Sequence, residues 1–409
     1  MFKVIVVLVF CMLLVACDSQ PSVDTKETEN KEAKVEQVNE VNQEDTQSDQ
    51  DNSQIQNEEL DAKNYFEEMI KAIEENNKAT FMSYQDGTNE LFYKEQEVWL
   101  NEIEQKKSEG WDVSVVINNV TLESLDKGNL ELKINMQHED QNISNHITYP
   151  IHNINGTWKM NDLPFQKITD GPINLYYLPS LDSYADKVLA DVKEIVDLYN
   201  QTFNWNPSEI NIKLYDSVEE ISASTAWPTL YGVAVPFTSL KFVVQGDYEV
   251  TYGFIKHEIV HTMLADISND NAPPFMQEGL AIFISSAVTT DESGKLQLDY
   301  GNTADREKVI LENTEEIKPI ANLKDINYTE DSIDIYNIGF LITNYLIQTD
   351  GIEKYLEMVE FLKANDIIDK ENIDREKIVY QYAIEALEQT YGSLDKLSEG
   401  YIDYYSKKQ

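Results

Sequence analysis

The five residues His257-Glu258-Ile259-Val260-His261 constrain this chain more than any other stretch. Apolar side chains around them recur at the spacing of a buried helix, so we predict that the segment is helical. These side chains are Phe254, Ile255, Ile259, Met263 and Leu264. Residues four apart on a helix share one face, so both imidazoles can bind one metal ion, with Glu258 at the edge of the site. The alternative is an ordinary helix that carries two histidines by coincidence.

A catalytic zinc site needs a third protein ligand and an open position for water. The other histidines, at positions 138, 146 and 152, lie far upstream, and both cysteines lie within the first 17 residues. A carboxylate is therefore expected. Glu278 is the best candidate, because Pro273 and Pro274 open a second apolar helix directly before it. We predict that His257, His261 and Glu278 bind one Zn²⁺ ion; the alternative for Glu278 is an exposed residue favoured by the helix dipole.

This pattern, with Glu278 followed by Gly-Leu-Ala, resembles the gluzincin zinc metallopeptidases. It is closer to their aminopeptidase-like branch and to the bacterial peptidase MA-like domains than to thermolysin. The segment Tyr336-Asn337-Ile338-Gly339 is similar to the Tyr-x-x-Gly helix of that family. The resemblance covers about residues 170–409. It implies an α+β domain with a small N-terminal sheet, an active-site helix and a helical C-terminal half. It also implies that Glu258 is the catalytic general base and that Tyr336 donates its hydroxyl to the oxyanion.

The chain departs from the family at two places. In the thermolysin pattern a carboxylate follows the third ligand by four residues, whereas this chain has Ile282. The Gly-Ala-Met-Glu-Asn stretch that binds the substrate amine in zinc aminopeptidases is absent, since residues 232–236 contain no carboxylate. We expect peptide or protein substrates, with endo- or exopeptidase cleavage left open. In the family the strand before the metal helix is a sheet edge, so we predict that part of 232–244 pairs with an extended peptide. The alternative is an edge without a partner, protected by Pro236.

The first 17 residues predict export and lipid attachment. Lys3 precedes an apolar run over residues 4–15 that is short for a membrane span. Leu14-Val15-Ala16-Cys17 resembles the bacterial lipobox, which implies a signal peptide over 1–17 and a lipid on Cys17. That lipid would anchor the protein to the extracytoplasmic face of a bacterial cell membrane; the alternative is an ordinary signal peptide cut nearby. Residues 18–60 are acidic and lack aromatic side chains, so we predict a disordered tether.

Residues 61–168 predict a small α+β accessory domain. Helical periodicity over 65–73 and 92–103 is followed by strand patterns, which fall at 111–120, 130–136, 147–151 and 157–160. Asp126-Lys127-Gly128-Asn129 and Asn155-Gly156 are turn signals between them. This order resembles the nuclear-transport-factor-like cone folds. The histidines at 138, 146 and 152 fall on separate strands or turns, so we interpret them as surface residues and not as a metal site.

Residues 169–409 predict the peptidase-like domain itself. A strand at 173–177, a helix at 183–203 and strands at 210–215 and 240–244 precede the metal helix. Helical patterns follow it, at 305–311, 333–347, 352–362 and 373–387. Gly351 and Gly392 are placed to end two of these helices.

The net charge of −42 argues against nucleic-acid binding and would favour cationic over anionic partners. We therefore predict a membrane-anchored, extracytoplasmic zinc metallopeptidase. Two alternatives stay open: a catalytically inactive peptidase-like binding module, and a zinc hydrolase acting on another amide or ester. The intact Glu258 argues against the binding module, because a retired site has no chemical need for a base.

Overall fold

The computed structural model describes residues 45–235, 238–244, 246–314, 316–325, 332–368 and 374–408. They form a mixed α+β protein with 56% helix and 22% strand in several sheets, which confirms the predicted class. The predicted signal peptide, Cys17 and residues 18–44 of the predicted tether lie outside the described residues. Within the described part of the chain, no helix is both long enough and apolar enough to cross a membrane.

The helices are α1 (Asp45–Glu74), α2 (Lys78–Ser83), α3 (Glu90–Ser108), α4 (Asp182–Phe203), α5 (Val218–Ala223), α6 (Tyr248–Ser268), α7 (Pro274–Ala287), α8 (Ala304–Glu312), α9 (Ser332–Asp350), α10 (Ile352–Lys363), α11 (Arg375–Tyr391) and α12 (Leu394–Ser406). Short 3-10 helices cover Pro179–Leu181, Tyr300–Thr303 and Ile320–Asp325. The strands are β1 (Asp112–Ser124), β2 (Lys127–His138), β3 (Gln141–Ile154), β4 (Thr157–Met160), β5 (Gln166–Asp170), β6 (Ile173–Tyr177), β7 (Ile210–Tyr215), β8 (Gly232–Val235), β9 (Ser239–Val243), β10 (Val288–Thr290) and β11 (Leu296–Leu298).

The N-terminal region packs α1, α2 and α3 against an antiparallel sheet in which β1, β2, β3 and β4 are neighbours in sequence order. Alternate residues of β2 face the helices and are buried, which is the period of a half-buried strand. These residues are Leu130, Leu132, Ile134 and Met136. Asn155 and Gly156 have φ values of 55° and 83° and join β3 to β4, as an Asn-Gly turn requires.

The first helix starts earlier than we predicted. α1 begins at Asp45 and so covers the last part of the range 18–60 that we predicted as tether. The Glu59 carboxylate accepts a hydrogen bond from the backbone N–H of Leu122 at 2.9 Å, which ties α1 to β1. The polar composition of residues 45–60 offers no apolar face from which this extension could be predicted.

The second sheet has the strand order β5-β6-β7-β9-β8. β6, β7 and β9 are parallel, whereas β5 and β8 run antiparallel to their neighbours at the two edges. We expected the strand directly before the metal helix to be a sheet edge, and this was wrong. That strand is β9, and β8 folds back on it and takes the edge position instead.

The C-terminal half is helical, and its centre is the crossing of α7 and α9. At this crossing Gly279 and Gly339 face each other with no room for a side chain. A Cβ atom on Gly279 would lie 2.2 Å from the carbonyl oxygen of Gly339, and one on Gly339 would lie 2.3 Å from that of Phe275. Glycine is therefore required at both positions. Gly351 and Gly392, each with φ of 89°, follow α9 and α11 as the sequence predicted.

A buried ion cluster joins the N-terminal region to the second sheet. Lys213 of β7 is fully buried, and its Nζ donates hydrogen bonds to Glu95 of α3 and to Asp162. Burial alone would lower the pKa of Lys213, but the two carboxylates hold that pKa above its usual value. Nearby, the Trp99 indole donates to the carbonyl of Ala223 at 2.8 Å. The hydrophobic cluster of the N-terminal region thus extends across the predicted boundary at 168/169 and includes Tyr215, Ile221 and Val243.

Candidate metal centre

α6 carries three of the predicted site residues on one face. It begins after Asp247, whose side chain accepts a hydrogen bond from the N–H of Glu249 at 3.1 Å, and it ends at Asn269 with a left-handed φ of 54°. Its buried side carries Ile255, Ile259, Val260, Met263 and Leu264. The four-residue spacing brings the Nε2 atoms of His257 and His261 to 3.2 Å from each other.

α7 supplies the third predicted ligand. The Oε2 atom of Glu278 lies 3.3 Å from Nε2 of His257 and 3.6 Å from Nε2 of His261. With one atom from each residue, the three candidate ligand atoms lie within 4.8 Å of one another. Glu278 is 8% exposed, which rules out the alternative of a solvent-exposed glutamate at the start of the helix. The structure thus brings the three predicted ligands into a group that can hold one metal ion.

The chemistry of this group fits a bound cation. Oε2 of Glu278 is buried and makes no well-directed hydrogen bond to any described residue. This buried oxygen faces the two imidazoles without a well-directed hydrogen bond, which is costly, and a cation among these atoms would remove that cost. Burial raises the pKa of Glu278, but His261, His257 and Tyr336 together outweigh burial and hold the pKa below its usual value. Two imidazole nitrogens and an ionised carboxylate are a donor set that Zn²⁺ accepts.

Gln277 orients one of the histidines, and the sequence analysis missed it. Its Oε1 lies 3.1 Å from Nδ1 of His261. With Nδ1 donating to the amide oxygen, Nε2 keeps its lone pair and faces the metal position. The sequence offers one weak signal, which is that Gln277 directly precedes Glu278 on a helix that packs against α6.

Glu258 and Tyr336 lie in the same cavity as the three ligands. The cavity has a volume of about 740 Å³. Glu258 lines it and is 8% exposed. Tyr336 of α9 also lines it, and its side chain is close enough to the Glu278 carboxylate to help lower the pKa of that group. The crossing at Gly279 and Gly339 sets this contact, because Gly279 follows Glu278 and Gly339 lies one turn beyond Tyr336.

The edge strand β8 forms one wall of this cavity through Gly232, Val233 and Ala234. Among the described residues, no strand pairs with the outer edge of β8. Backbone donors and acceptors of β8 are therefore placed beside the metal cluster. Ile282, which stands where thermolysin has a carboxylate, also lines the cavity.

The upstream histidines lie on the first sheet. His138 of β2 packs against Trp111 in a tilted arrangement, with ring centroids 5.1 Å apart. Nδ1 of His146, on β3, lies 3.4 Å from a carboxylate oxygen of Glu131. His152 also belongs to β3.

Comparison of the sequence with known protein families and with curated proteins found no matching family model and no matching curated protein. The gluzincin resemblance thus stands on the residues of the site and their spacing.

Proposed function

We propose that this chain is a gluzincin-type zinc metallopeptidase that hydrolyses peptide bonds in peptides or proteins. The observation that carries the proposal is the convergence of His257, His261 and Glu278 on one point, with the carboxylate of Glu258 in the same cavity. The order of the second sheet followed by α6, α7 and further helices agrees with the architecture that the resemblance implies.

His257, His261 and Glu278 would hold the ion, and Gln277 fixes the tautomer of His261. Zinc bound there supplies a Lewis acid that polarises the scissile carbonyl and lowers the pKa of water toward neutrality. Glu258 takes the proton of the attacking water and delivers it to the departing amine. Its burial keeps bulk water from competing for that proton.

Tyr336 stabilises the oxyanion in this proposal. Its side chain lies at the edge of the site beside the Glu278 carboxylate, and its hydroxyl can turn toward a bound carbonyl. One such donor typically contributes a factor of about 100 to 1,000 in rate. The outer edge of β8 would bind the substrate backbone by strand addition, which places an extended peptide along the cavity.

We further propose an extracytoplasmic location at a bacterial cell membrane, with the protein anchored by a lipid on Cys17. The acidic residues after Cys17 would act as a tether that holds the folded body away from the membrane. The net charge of −42 disfavours nucleic acid as a partner.

Metal content tests the proposal first. We would purify the full-length chain in detergent and measure zinc by mass spectrometry for the wild type, Glu258→Gln and Glu278→Ala. About one zinc per chain is expected in the first two proteins, with a large loss in Glu278→Ala. Peptide cleavage should be present in the wild type and absent in Glu258→Gln.

Each alternative has its own outcome in this experiment. No zinc in any of the three proteins would refute the metal site. Zinc without cleavage of peptides or proteins would favour a binding module or a hydrolase of another amide or ester. Cleavage at the wild-type rate by Glu258→Gln would refute the assigned base.

A further inference from the structure

Among its 32 basic residues the chain has two arginines, Arg306 and Arg375. Both arginines line the cavity that holds the candidate metal ligands. Of the lysines in the described residues, Lys256 lines it. A chain that otherwise uses lysine for positive charge therefore places its two guanidinium groups at one site.

Neither arginine is placed to stabilise its own helix. Arg306 lies in the first turn of α8, and Arg375 is the first residue of α11. A positive charge at a helix N-terminus is disfavoured by the helix dipole. Asp270 offsets this at Arg375, whose Nη2 donates to the Asp270 carbonyl at 2.7 Å and to its carboxylate at 2.8 Å. These bonds fix the guanidinium in place, while its buried Nε bonds to none of the described residues.

The two arginines lie toward opposite ends of α7, with Glu278 between them. Asp270, which binds Arg375, comes shortly before the start of α7. At the other end, Asn302 donates to the carbonyl of Ser286 at 2.7 Å, and α8 begins just after Asn302. The length of α7 is about 20 Å at 1.5 Å per residue. Arg306 lines the same cavity as His257.

Charge in the cavity differs from charge on the protein as a whole. Three basic and three acidic side chains line it, and these are Lys256, Arg306, Arg375, Asp270, Glu258 and Glu278. A divalent ion held by the metal ligands would make the lining net positive, although the chain carries −42. Charges beyond about 10 Å are largely screened at physiological salt, so a bound peptide responds mainly to the lining.

We propose that this cavity binds acidic peptides, with Arg306 and Arg375 as carboxylate-binding positions on either side of the metal cluster. The planar guanidinium donates paired hydrogen bonds to a carboxylate, which an ammonium group cannot do in the same geometry. The carboxylate comes from an Asp or Glu side chain or from the C-terminus of the peptide. Cleavage of these peptides rests on the proposed function, whereas their binding does not. The cavity thus selects against the cationic substrates that the overall charge would favour.

Binding measured on a variant that cannot cleave separates recognition of the carboxylate from hydrolysis of the peptide bond. The full-length Glu258→Gln chain, loaded with zinc, would be titrated with fluorescein-labelled extended peptides by anisotropy. The peptides form matched pools that differ in Glu or Gln at fixed positions, each made as the free acid and as the C-terminal amide. We expect the Glu pool or the free-acid form to bind about tenfold more tightly than its neutral counterpart. Which of the two differences appears identifies the source of the carboxylate.

The sequence provides matched controls. Both arginines occur in the tetrapeptide Asp-Arg-Glu-Lys, and the lysines of these repeats, Lys308 and Lys377, are exposed. In the Glu258→Gln background, Arg306→Gln and Arg375→Gln should each reduce the preference for carboxylates about fivefold or more. Lys308→Gln and Lys377→Gln remove the same charge and should change it less than about twofold. Arg306→Lys and Arg375→Lys keep the charge and should lose part of the preference while retaining the fold, monitored by circular dichroism.

Equal binding of all four peptide pools would overturn the inference, as would an equal effect of the lysine and arginine variants. Cleavage of Glu and Gln pools at equal rates, with equal affinities, would overturn it while leaving the peptidase proposal intact. Conversely, a carboxylate preference in binding without any cleavage by the wild type would support the inference and refute the proposed function.

Discussion

Replacing Gly279 by alanine tests whether the crossing of α7 and α9 sets the geometry of the site. The new Cβ would lie 2.2 Å from the carbonyl oxygen of Gly339 and 2.7 Å from Oγ1 of Thr343, whereas ordinary contact begins at 3.4 Å. The shortfall at Gly339 is therefore more than about 1 Å. The obstructing atom belongs to the backbone of a helix, so the two helices must separate.

Two opposing contributions determine how much the free energy of unfolding should change. Alanine is more favourable than glycine in a helix interior by about 1 kcal/mol. Overpacking of a filled contact costs about 1–3 kcal/mol, and a backbone obstacle places this site at the upper end. We expect the free energy of unfolding to fall by about 1–2 kcal/mol. A displacement of about 1 Å between Tyr336 and Glu278 should lower kcat/KM by up to about 100-fold.

The assay combines urea unfolding, zinc content and peptide turnover. Zinc should be retained in Gly279→Ala, because all three ligands lie on α6 and α7. Gly400→Ala is the matched control, since its Cβ would meet only the hydroxyl end of Tyr345, at 2.6 Å, and that side chain can rotate away. The control should keep full turnover. If Gly279→Ala were as stable as the wild type and equally active, the close crossing would have no role in the site.

Three further variants probe single interactions. Tyr336→Phe should retain zinc and slow turnover about 100-fold or more; an unchanged kcat would remove its assigned role. Gln277→Leu should weaken zinc binding about 10- to 100-fold, measured by competition with a chelator, and equal affinity would show that the bond to His261 does not matter. Glu220 of α5 has its pKa raised to about 7 by burial and by the nearby Asp216. Its proton therefore stabilises the fold below about pH 4.5, and that stabilisation is lost as the pH rises to 7. Glu220→Gln should raise the free energy of unfolding at pH 8 by about 1–2 kcal/mol, allowing for partial exposure, and should have little effect near pH 4.5. A stabilisation that does not depend on pH would contradict this.

The sequence predicts those parts of the site that depend on local periodicity. The spacing of His257 and His261 follows from the helix repeat. A carboxylate as third ligand follows from the lack of further histidines and cysteines downstream, and the choice of Glu278 follows from its helix, which Pro273 and Pro274 open. The ends of α9 and α11 follow from Gly351 and Gly392. β6 and β7 have the predicted bounds because β-branched, leucine and tyrosine residues dominate both segments, although Asn174 of β6 and Lys213 of β7 are polar.

Features that depend on contacts between distant elements could not be predicted in this way. Nothing next to Gly279 in the sequence reveals that Gly339 packs on it. The roles of Arg306 and Arg375 are equally hidden, because each lies in a polar tetrapeptide that is typical of an exposed helix start. β8 lies at the sheet edge because it pairs with β9 on one side only. The turn that joins these two apolar strands does not by itself determine which of them takes the edge.

The buried ion cluster of Lys213, Glu95 and Asp162 limits where a protease can cleave this chain without loss of the fold. A break between the two sheets would expose Lys213 and the apolar residues around Tyr215 to water. It would also separate Glu95 and Asp162 from the lysine that neutralises them. We therefore expect the two regions to unfold together and not one after the other. A cleavage that leaves the folded body intact would have to lie upstream of Glu59, whose carboxylate accepts a hydrogen bond from the backbone of β1.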